Sequence, residues 1–398
     1  MTIKLPITKP CFDDREFELI RKPLESGWVV QGPYVKEFEN KMAAFTGAHY
    51  AVALNSCTSG QMIMSRIIAL KPGDEVIVPA FTWISTANAV EFLGAKAVFC
   101  DIDLQTYNID VSDIEEKITT NTRAIYPVHL FGLCANMPEI LAIAKSHGLK
   151  VIEDAACGLG GWIGNQHGGT FGEAGVFSFH PRKAITTGEG GMIVTQDKTF
   201  AQSAASLRDH GAMRTDYERH QQKEGFLLAE YPILGYNMRM TDIQGALGVA
   251  QMEKLTWICE RKQQLAQEYN QRLREMDWLK APVVPNGFTH GYQSYCCLFK
   301  PEQTLAAVLK QDQQAINKLH QERNTLMAAL EEKGIATRQG THAVHIQQVY
   351  REKYHYSPMD FPVAYAADKL SLALPFFPTI TRDETDYLFE QLQGCGLK

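Results

Sequence analysis

One lysine of the sequence stands where a lysine can act as a nucleophile. Lys183 follows an apolar run that ends at Ser178, in a loop that also contains His180, and a glycine cluster comes soon after it at 188–191. A lysine in a partly apolar pocket can have a lowered pKa, and its neutral amine then forms a Schiff base with an aldehyde. A solvent-exposed lysine is the alternative interpretation for an isolated residue of this type.

A carboxylate ends another apolar run 29 positions before that lysine. Asp154 closes the run 150–154, and Glu153 points to the other face of the same strand because side chains alternate. An unpaired buried charge is expensive, so a carboxylate at this position must find a cationic partner or stay hydrated. We expect Asp154 to pair with a cationic ligand atom, with a surface ion pair as the alternative.

Small polar residues lie between a predicted strand and a predicted helix at 55–60. The free backbone N–H groups at the start of a helix bind phosphate or carboxylate groups, and Thr58 and Ser59 add hydroxyl donors. An ordinary helix cap explains the same residues equally well.

These residue types together match the needs of pyridoxal phosphate. That cofactor needs a lysine for its aldehyde, a carboxylate for its pyridinium nitrogen, an anion site for its phosphate and a flat side chain against its ring. Trp83, which follows a predicted strand, provides such a surface, although packing in the core is the alternative. The sequence therefore predicts a pyridoxal phosphate site.

The elements that position these residues form an α/β pattern. Short apolar runs alternate with amphipathic stretches between residues 50 and 195, which predicts a mainly parallel sheet covered by helices. The seven predicted strands are 51–54, 75–78, 96–101, 123–128, 150–154, 175–178 and 191–195. Ligands bind beyond the carboxyl ends of such strands, where the stretches at 55–60, 153–156 and 178–191 fall.

The pattern changes after the glycine-rich stretch. Residues 241–271 read as one or two long helices, and a further helix is predicted at 314–333, with Gly334 as its stop signal. We predict a large cofactor-binding domain at 1–255, including the N-terminal segment, and a smaller α/β domain at 256–398.

Composition argues against several classes of protein. The 398 residues carry a net charge of −6 without a basic cluster, so a nucleic-acid partner is not expected. Nine scattered cysteines without a C-x-x-C pair indicate reduced thiols, and neither a signal segment nor a membrane-spanning run is recognisable. We expect a cytoplasmic protein that does not bind membranes.

The chain closely resembles the DegT/StrS family of pyridoxal-phosphate-dependent sugar-nucleotide aminotransferases. Motifs in the family's order and spacing cover nearly the whole sequence. They lie at 27–33, 81–83, 129–132, 153–156, 178–191, 235–248 and 371–375.

The resemblance implies fold type I, the aspartate-aminotransferase fold, and a homodimer whose active sites lie at the subunit interface. It implies that Lys183 is the catalytic residue and binds the cofactor covalently, that Asp154 pairs with the pyridinium nitrogen and that Trp83 stacks on the ring. The residues that it places at the phosphate are Thr58, Ser59 and Ser178, with Asn237 reaching in from the neighbouring subunit.

Two parts of the site depart from the family's commoner sequences. Cys157 stands where many members carry a glutamine that contacts the phenolic oxygen of the cofactor, and a thiol is a weaker donor. The loop 337–345 also differs, and the resemblance places His180, Arg338 and His342 near the sugar-nucleotide pocket. A zinc site at His342 and His345 lacks further obvious ligands, so no metal is expected.

The resulting functional prediction is transfer of an amino group from L-glutamate to a 3- or 4-keto group of a nucleotide-linked deoxysugar, with ping-pong kinetics. The pathway stays open among cell-surface polysaccharides, glycans and natural products. One alternative is a sugar 3-dehydratase of the same family, in which histidine replaces the lysine. The other is a non-catalytic regulatory or binding protein on this fold.

Overall fold

The computed structural model describes residues 4–214, 217 and 229–394. Its helices are α1 (Asp14–Ser26), α2 (Pro33–Thr46), α3 (Cys57–Ile67), α4 (Ser85–Glu91), α5 (Val111–Ile114), α6 (Met137–His147), α7 (Lys198–Arg208), α8 (Asp242–Glu253), α9 (Leu255–Leu273), α10 (Pro301–Leu309), α11 (Gln313–Glu332), α12 (Gln348–Tyr354), α13 (Pro362–Leu370) and α14 (Arg382–Gln393). Its strands are β1 (Tyr50–Leu54), β2 (Glu75–Pro79), β3 (Phe81–Thr82), β4 (Lys96–Cys100), β5 (Thr122–Ile125), β6 (Lys150–Asp154), β7 (Trp162–Ile163), β8 (Gln166–His167), β9 (Ala174–Ser178), β10 (Gly191–Thr195), β11 (Leu279–Lys280), β12 (Phe288–Thr289), β13 (Tyr295–Phe299), β14 (His342–Ala343) and β15 (Ser371–Leu374).

Within the described residues, the central sheet has seven strands in the order β1-β10-β9-β6-β5-β2-β4. The pairs β9–β6, β6–β5, β5–β2 and β2–β4 are parallel, and β10 runs antiparallel to both of its neighbours. All seven strands predicted from the sequence are confirmed, with bounds that differ by at most a few residues. Their carboxyl ends, except that of β10, therefore meet at one edge of the sheet.

Helix α3 lies unusually close to this sheet. A Cβ atom at Gly60 would stand 2.5 Å from Cγ2 of Val176 in β9, so a larger residue would push the helix outward. The strand residues facing the helix layer are β-branched and fully buried, as in Val176 and Ile193. Close packing of α3 brings its N-terminus to the same edge as the ends of β6 and β9.

A second, antiparallel sheet in the order β11-β13-β15 belongs to the C-terminal part. The helix predicted at 314–333 is α11, and Gly334 follows it with a φ of 78°. Thr241 caps α8, and α9 follows directly, so the stretch predicted as one or two helices forms two.

The N-terminal segment packs against the C-terminal part. The backbone N–H groups of Lys4 and Leu5 donate to the carbonyl oxygen of Gly334, and Leu5 and Ile335 form a parallel bridge. The division into two domains at residue 255 stays a prediction. The first residues, which that prediction places in the large domain, are hydrogen-bonded to the C-terminal part.

Among the helices of the described ranges, none combines the length and the apolar character that crossing a lipid bilayer requires.

Candidate functional site

A cavity of about 340 Å³ opens at the carboxyl edge of the central sheet. Its walls come from the ends of β6 and β9, the start of α3, the segment after β2 and the loop after Gly334. The predicted site residues that line it are Thr58, Trp83, Asp154, Cys157, Ser178, His180, Lys183 and Arg338. The fold thus brings together residues that lie up to 280 positions apart in the sequence.

Asp154 is buried and is held by three hydrogen bonds. Its Oδ2 accepts from Gln61 Nε2 at 2.7 Å and from Thr86 Oγ1 at 2.6 Å, and its Oδ1 accepts from the backbone N–H of Ala156 at 3.0 Å. These donors replace the hydrogen bonds to water that burial removes from the carboxyl group. A partner for this carboxylate was expected from the sequence, but Gln61 and Thr86 lie too far away along the chain for spacing to reveal them.

Glu153 points to the opposite face of β6, as the alternation of side chains predicts. Its Oε2 accepts from His129 Nε2 and from the N–H of Gly169, both at 2.8 Å. Its Oε1 accepts from the N–H groups of Phe171 and Gly172, both at 2.7 Å. This carboxylate anchors the loop between β8 and β9 and does not line the cavity.

Lys183 reaches the cavity from a turn after β9, where its N–H donates to the carbonyl oxygen of His180. Its Nζ donates to Cys157 Sγ at 3.1 Å. Burial acts to lower the pKa of Lys183, but the charge and hydrogen bond of Cys157 and the charge of Asp154 oppose it, and the pKa is raised overall. The pKa thus shifts in the direction opposite to the lowering that an apolar pocket predicts, and the ammonium must lose a proton before Lys183 attacks an aldehyde.

The N-terminus of α3 forms one wall of the cavity through Ser56, Cys57 and Thr58. The Ser56 side chain caps the helix by accepting from the N–H of Ser59 at 3.1 Å. The Ser59 hydroxyl donates to Asn55 Oδ1 at 2.7 Å, and Ser59 is not among the described residues that line the cavity. The helix cap is thus present and the capped helix start faces the cavity, whereas phosphate binding by this stretch stays a prediction.

Gly191, the first residue of β10, allows this helix start to approach the sheet. A Cβ atom there would lie 2.5 Å from the backbone nitrogen of Cys57 and from the carbonyl carbon of Ser56. Backbone contacts this short cannot be relieved by a side-chain rotation, so the position requires glycine.

Trp83 is 49% exposed, and its indole lines the cavity rather than the core. His342 lies beside it, with the two ring centroids 5.8 Å apart, because β14 pairs with β3. His342 itself is not among the described lining residues. The flat surface that the sequence analysis sought is thus available on one wall of the cavity.

The loop 338–343 is held at several places, including a hydrogen bond from the N–H of Gly340 to Ser371 Oγ at 3.1 Å. Arg338 forms an antiparallel bridge with Ala373. Asp368 of α13 is buried, and its Oδ1 accepts from Gln339 Nε2 at 2.9 Å and from the N–H of Ala343 at 3.0 Å. The sequence analysis did not identify Asp368, because its role depends on how α13 packs behind the loop.

His180 lines the cavity, and burial together with the charge of Arg182 lowers its pKa. Its Nδ1 accepts from the N–H of Arg182 at 3.2 Å. The imidazole is thus held in its neutral form as a fixed part of the wall.

Asn237 lies outside the described lining of this cavity and forms a backbone bridge with Asp209. Its assignment to the site of a neighbouring subunit stays a prediction.

The cavity fits the cofactor that the sequence predicts. It offers an amine at Lys183, a buried carboxylate at Asp154, an exposed indole at Trp83 and a helix N-terminus for a phosphate. No cluster of three or more His, Cys, Asp or Glu side chains suited to a metal ion occurs in the part of the chain that the structure describes.

The sequence is similar to one protein family and to a bacterial protein. Residues 10–393 match the model of the DegT/DnrJ/EryC1/StrS aminotransferase family. The chain is 35% identical over 390 residues to the spore coat polysaccharide biosynthesis protein SpsC of Bacillus subtilis, covering 98% of this chain and 96% of SpsC.

Two solved structures are similar to the fold of this chain. A DegT DnrJ EryC1 StrS aminotransferase from Brucella abortus superimposes with a TM-score of 0.83 at 29% identity, covering 97% of this chain and 96% of that one. The E. coli GDP-4-keto-6-deoxy-D-mannose-3-dehydratase with bound hydrated PLP gives a TM-score of 0.84 at 28% identity, covering 98% and 100%. The predicted α/β class and fold type I are confirmed.

Proposed function

The chain belongs to the DegT/DnrJ/EryC1/StrS aminotransferase family, and we propose that it transfers the amino group of L-glutamate to a 3- or 4-keto group of a nucleotide-linked deoxysugar. It is a pyridoxal-phosphate-dependent transaminase that acts on a sugar. The observation that supports the proposal is the placement of the Lys183 amine and the Asp154 carboxylate in one cavity at the carboxyl edge of the sheet. The amine binds an aldehyde, and the carboxylate holds a protonated ring nitrogen.

We assign the cofactor-binding roles from this placement. Lys183 would bind the cofactor covalently, Asp154 would accept a hydrogen bond from the ring nitrogen, and Trp83 would supply the flat surface. The start of α3 would hold the phosphate, with Thr58 and the backbone N–H groups as donors and Ser178 facing the same cavity.

When bound, pyridoxal phosphate supplies an electron-accepting ring for the electrons of the broken Cα–H bond. Asp154, which Gln61 and Thr86 orient through hydrogen bonds, would hold a proton on the ring nitrogen. Lys183 Nζ accepts the proton from the α-carbon of glutamate as a general base and then donates it as a general acid. In the second half of the cycle the same amine moves the proton in the opposite direction.

The mouth of the cavity is proposed to receive the sugar nucleotide. Arg338 and His180 line the cavity, and His342 lies beside Trp83. A guanidinium suits the diphosphate of a nucleotide sugar because it forms paired hydrogen bonds with phosphate oxygens. SpsC, a protein of spore coat polysaccharide biosynthesis by name, supports a cell-surface polysaccharide as the destination of the product.

The first experiment is the visible absorption spectrum of the purified protein with pyridoxal phosphate. We expect a band of the lysine-bound cofactor that disappears when excess L-glutamate is added. Lys183→Ala is expected to lack that band while keeping the fold, which circular dichroism checks. A protein that binds the cofactor but ignores glutamate would contradict the proposed amino donor.

Asp154→Asn tests the role of the carboxylate in the glutamate half-reaction. An amide does not hold the ring nitrogen protonated, so the rate measured by stopped-flow absorbance is expected to fall at least about 100-fold. Asp101→Asn is the matched control, because Asp101 also follows a strand of this sheet but accepts from the N–H groups of Val363 and Ala364. Equal rates in the two variants would contradict the role of Asp154.

Product analysis with a panel of nucleotide keto-sugars identifies the acceptor. Aminated sugar and 2-oxoglutarate in equal amounts are the expected products. A deoxygenated product without an amino group would favour the reaction named for the E. coli dehydratase instead.

We also propose that two copies of the chain share their active sites. Exposed apolar side chains flank the segment that holds Asn237, and such surfaces mark interfaces. They are Val29, Val30, Met213, Ile233 and Leu234.

Mixing two inactive variants tests this arrangement. If Asn237 serves the partner's site, Lys183→Ala mixed with Asn237→Ala rebuilds one complete site in each mixed dimer, giving about a quarter of wild-type activity after random exchange. No recovery of activity in mixtures shown by native mass spectrometry to contain mixed dimers would contradict the shared site.

A further inference from the structure

Cys157 and Lys183 form a close pair of reactive side chains. Cys157 Sγ lies 3.1 Å from Lys183 Nζ, and in the described part of the chain no other side chain or backbone group forms a hydrogen bond or an ion pair with that amine. Cys157 lines the cavity and is only half-buried, so the cavity offers small reagents a route to this residue. The pair therefore combines a nucleophilic nitrogen, a sulfur atom and access from solvent.

We propose that Cys157 and Lys183 are a modification site at which a hydroperoxide produces a reversible sulfur–nitrogen bond between the two side chains. In the first step the peroxide O–O bond breaks, one oxygen is transferred to Sγ to give a sulfenic acid, and the other leaves as water or an alcohol. Sulfur is oxidised by two electrons and the peroxide is reduced by two. In the second step Lys183 Nζ attacks Sγ, the S–N bond forms, and the hydroxyl leaves with a proton from the amine as water.

The contact favours both steps. A thiolate is the form of cysteine that peroxides oxidise, and the Lys183 ammonium places a positive charge against the sulfur. Burial is the strongest influence on the pKa of Lys183 and lowers it, whereas the charge on Cys157 raises it. A sulfenic acid is neutral and adds no charge that would raise the pKa of Lys183, whereas burial still favours the neutral amine that attacks sulfur.

Cys57 is the competing partner for Cys157, because it lines the same cavity. Burial raises the pKa of Cys57 well above its usual range, so it stays a thiol and is a poor nucleophile. The amine in direct contact with Sγ is the better-placed group.

The bond would make oxidation a switch on cofactor loading, a consequence that rests on the proposed function of Lys183. While its nitrogen is bonded to sulfur, Lys183 has no free amine for an aldehyde. Reduction by a thiol breaks the S–N bond and returns both side chains.

The test uses the full-length protein, freed of cofactor with hydroxylamine and treated with hydrogen peroxide. Intact-protein mass spectrometry is expected to show a product about 2 Da lighter than the reduced chain, which dithiothreitol restores, because the two steps remove two hydrogens in total. Peptide sequencing of the wild-type product is expected to join Cys157 to Lys183, a result that does not depend on any variant.

Three variants separate the possible products. Cys157→Ser is expected to lose the 2 Da product, and Lys183→Ala to gain about 16 Da as a sulfenic acid that dimedone traps. Cys57→Ser is the matched control from the same wall and is expected to keep the cross-link. The proposal is overturned if Lys183→Ala still loses 2 Da, which indicates a disulfide with Cys57, or if the wild-type chain gains oxygen without forming a cross-link.

Discussion

Thr86 donates its hydroxyl to Asp154 Oδ2 across 2.6 Å and thereby joins the first turn of α4 to the end of β6. Gln61 of α3 reaches the same oxygen atom at 2.7 Å. Three segments that are distant in the sequence thus converge on one buried carboxylate. The fold orients this carboxylate before any ligand arrives, which limits the ordering that ligand binding requires.

Thr86→Val is expected to lower the free energy of unfolding of the cofactor-free protein by about 1.5–3 kcal/mol, because it removes a hydrogen bond to a buried charge without changing side-chain volume much. Urea unfolding followed by circular dichroism measures the change. Thr86→Ser keeps the hydroxyl and should retain most of the stability. A Val variant as stable as the Ser variant would show that the hydrogen bond is unimportant.

Gly191→Ala is expected to displace the start of α3, because the added carbon would lie 2.5 Å from the backbone of Ser56 and Cys57. If this helix start binds the phosphate, the dissociation constant of pyridoxal phosphate should rise about tenfold or more. Pyridoxal, which lacks the phosphate, serves as the control ligand and should bind both proteins with similar affinity. An equal loss of affinity for pyridoxal phosphate and pyridoxal would show that the substitution disturbs a part of the site other than the phosphate position.

Asp368→Ala is expected to loosen the loop 338–343, because Gln339 and Ala343 both donate to Asp368 Oδ1. The KM for the nucleotide sugar should rise about tenfold, the effect of losing about 1.4 kcal/mol of binding, while the glutamate half-reaction stays nearly unchanged. Steady-state kinetics and stopped-flow absorbance separate the two effects. Asp368→Asn retains an acceptor oxygen, so its KM for the nucleotide sugar should rise less. A slower glutamate half-reaction in Asp368→Ala would argue against a role of Asp368 that is confined to the loop.

Three buried histidines should make the protein less stable in mild acid. Burial lowers the pKa of His167 to about 4, of His290 to about 3 and of His345 to about 4. The unfolded chain therefore binds more protons than the folded one below about pH 6.5. The free energy of unfolding is thus unaffected by these histidines above that pH and decreases as the pH falls towards 4 and 3.

Each of these histidines adds up to about 1.4 kcal/mol per pH unit to the slope of stability against pH. The urea midpoint should thus fall between pH 6.5 and 5, above the range in which most carboxylates titrate. His290→Gln should reduce the slope, whatever its effect on stability at pH 7. An unchanged slope would show that His290 does not titrate differently in the folded and unfolded states.

Local patterns were sufficient for the main elements. The seven strands of the central sheet followed from short apolar runs, and α11 followed from its helical periodicity with Gly334 as its end. The placement of Lys183 and Asp154 at the sheet edge followed as well, because residues after parallel strands must meet there. These inferences depend on the order of residues along the chain and on strand direction.

The surroundings of those residues needed the tertiary structure. Spacing did not reveal that Gln61 and Thr86 hold Asp154, or that Asp368 fastens the loop 338–343. Ser59, expected at the phosphate, turns its hydroxyl towards Asn55. A residue's position in a helix sets which neighbours are near it, but small rotations of that helix decide which hydrogen bond forms.

Apolar periodicity and turn residues act over short stretches of chain, so they were enough to predict the succession of strands and helices and the types of residue that reach the cavity. The contact of Lys183 with Cys157, the position of Trp83 at the cavity and the hydrogen bonds from α3 and α4 to Asp154 are visible only in the folded chain. These contacts depend on how helices, loops and the sheet pack together, and packing is a property of the whole chain rather than of any one segment.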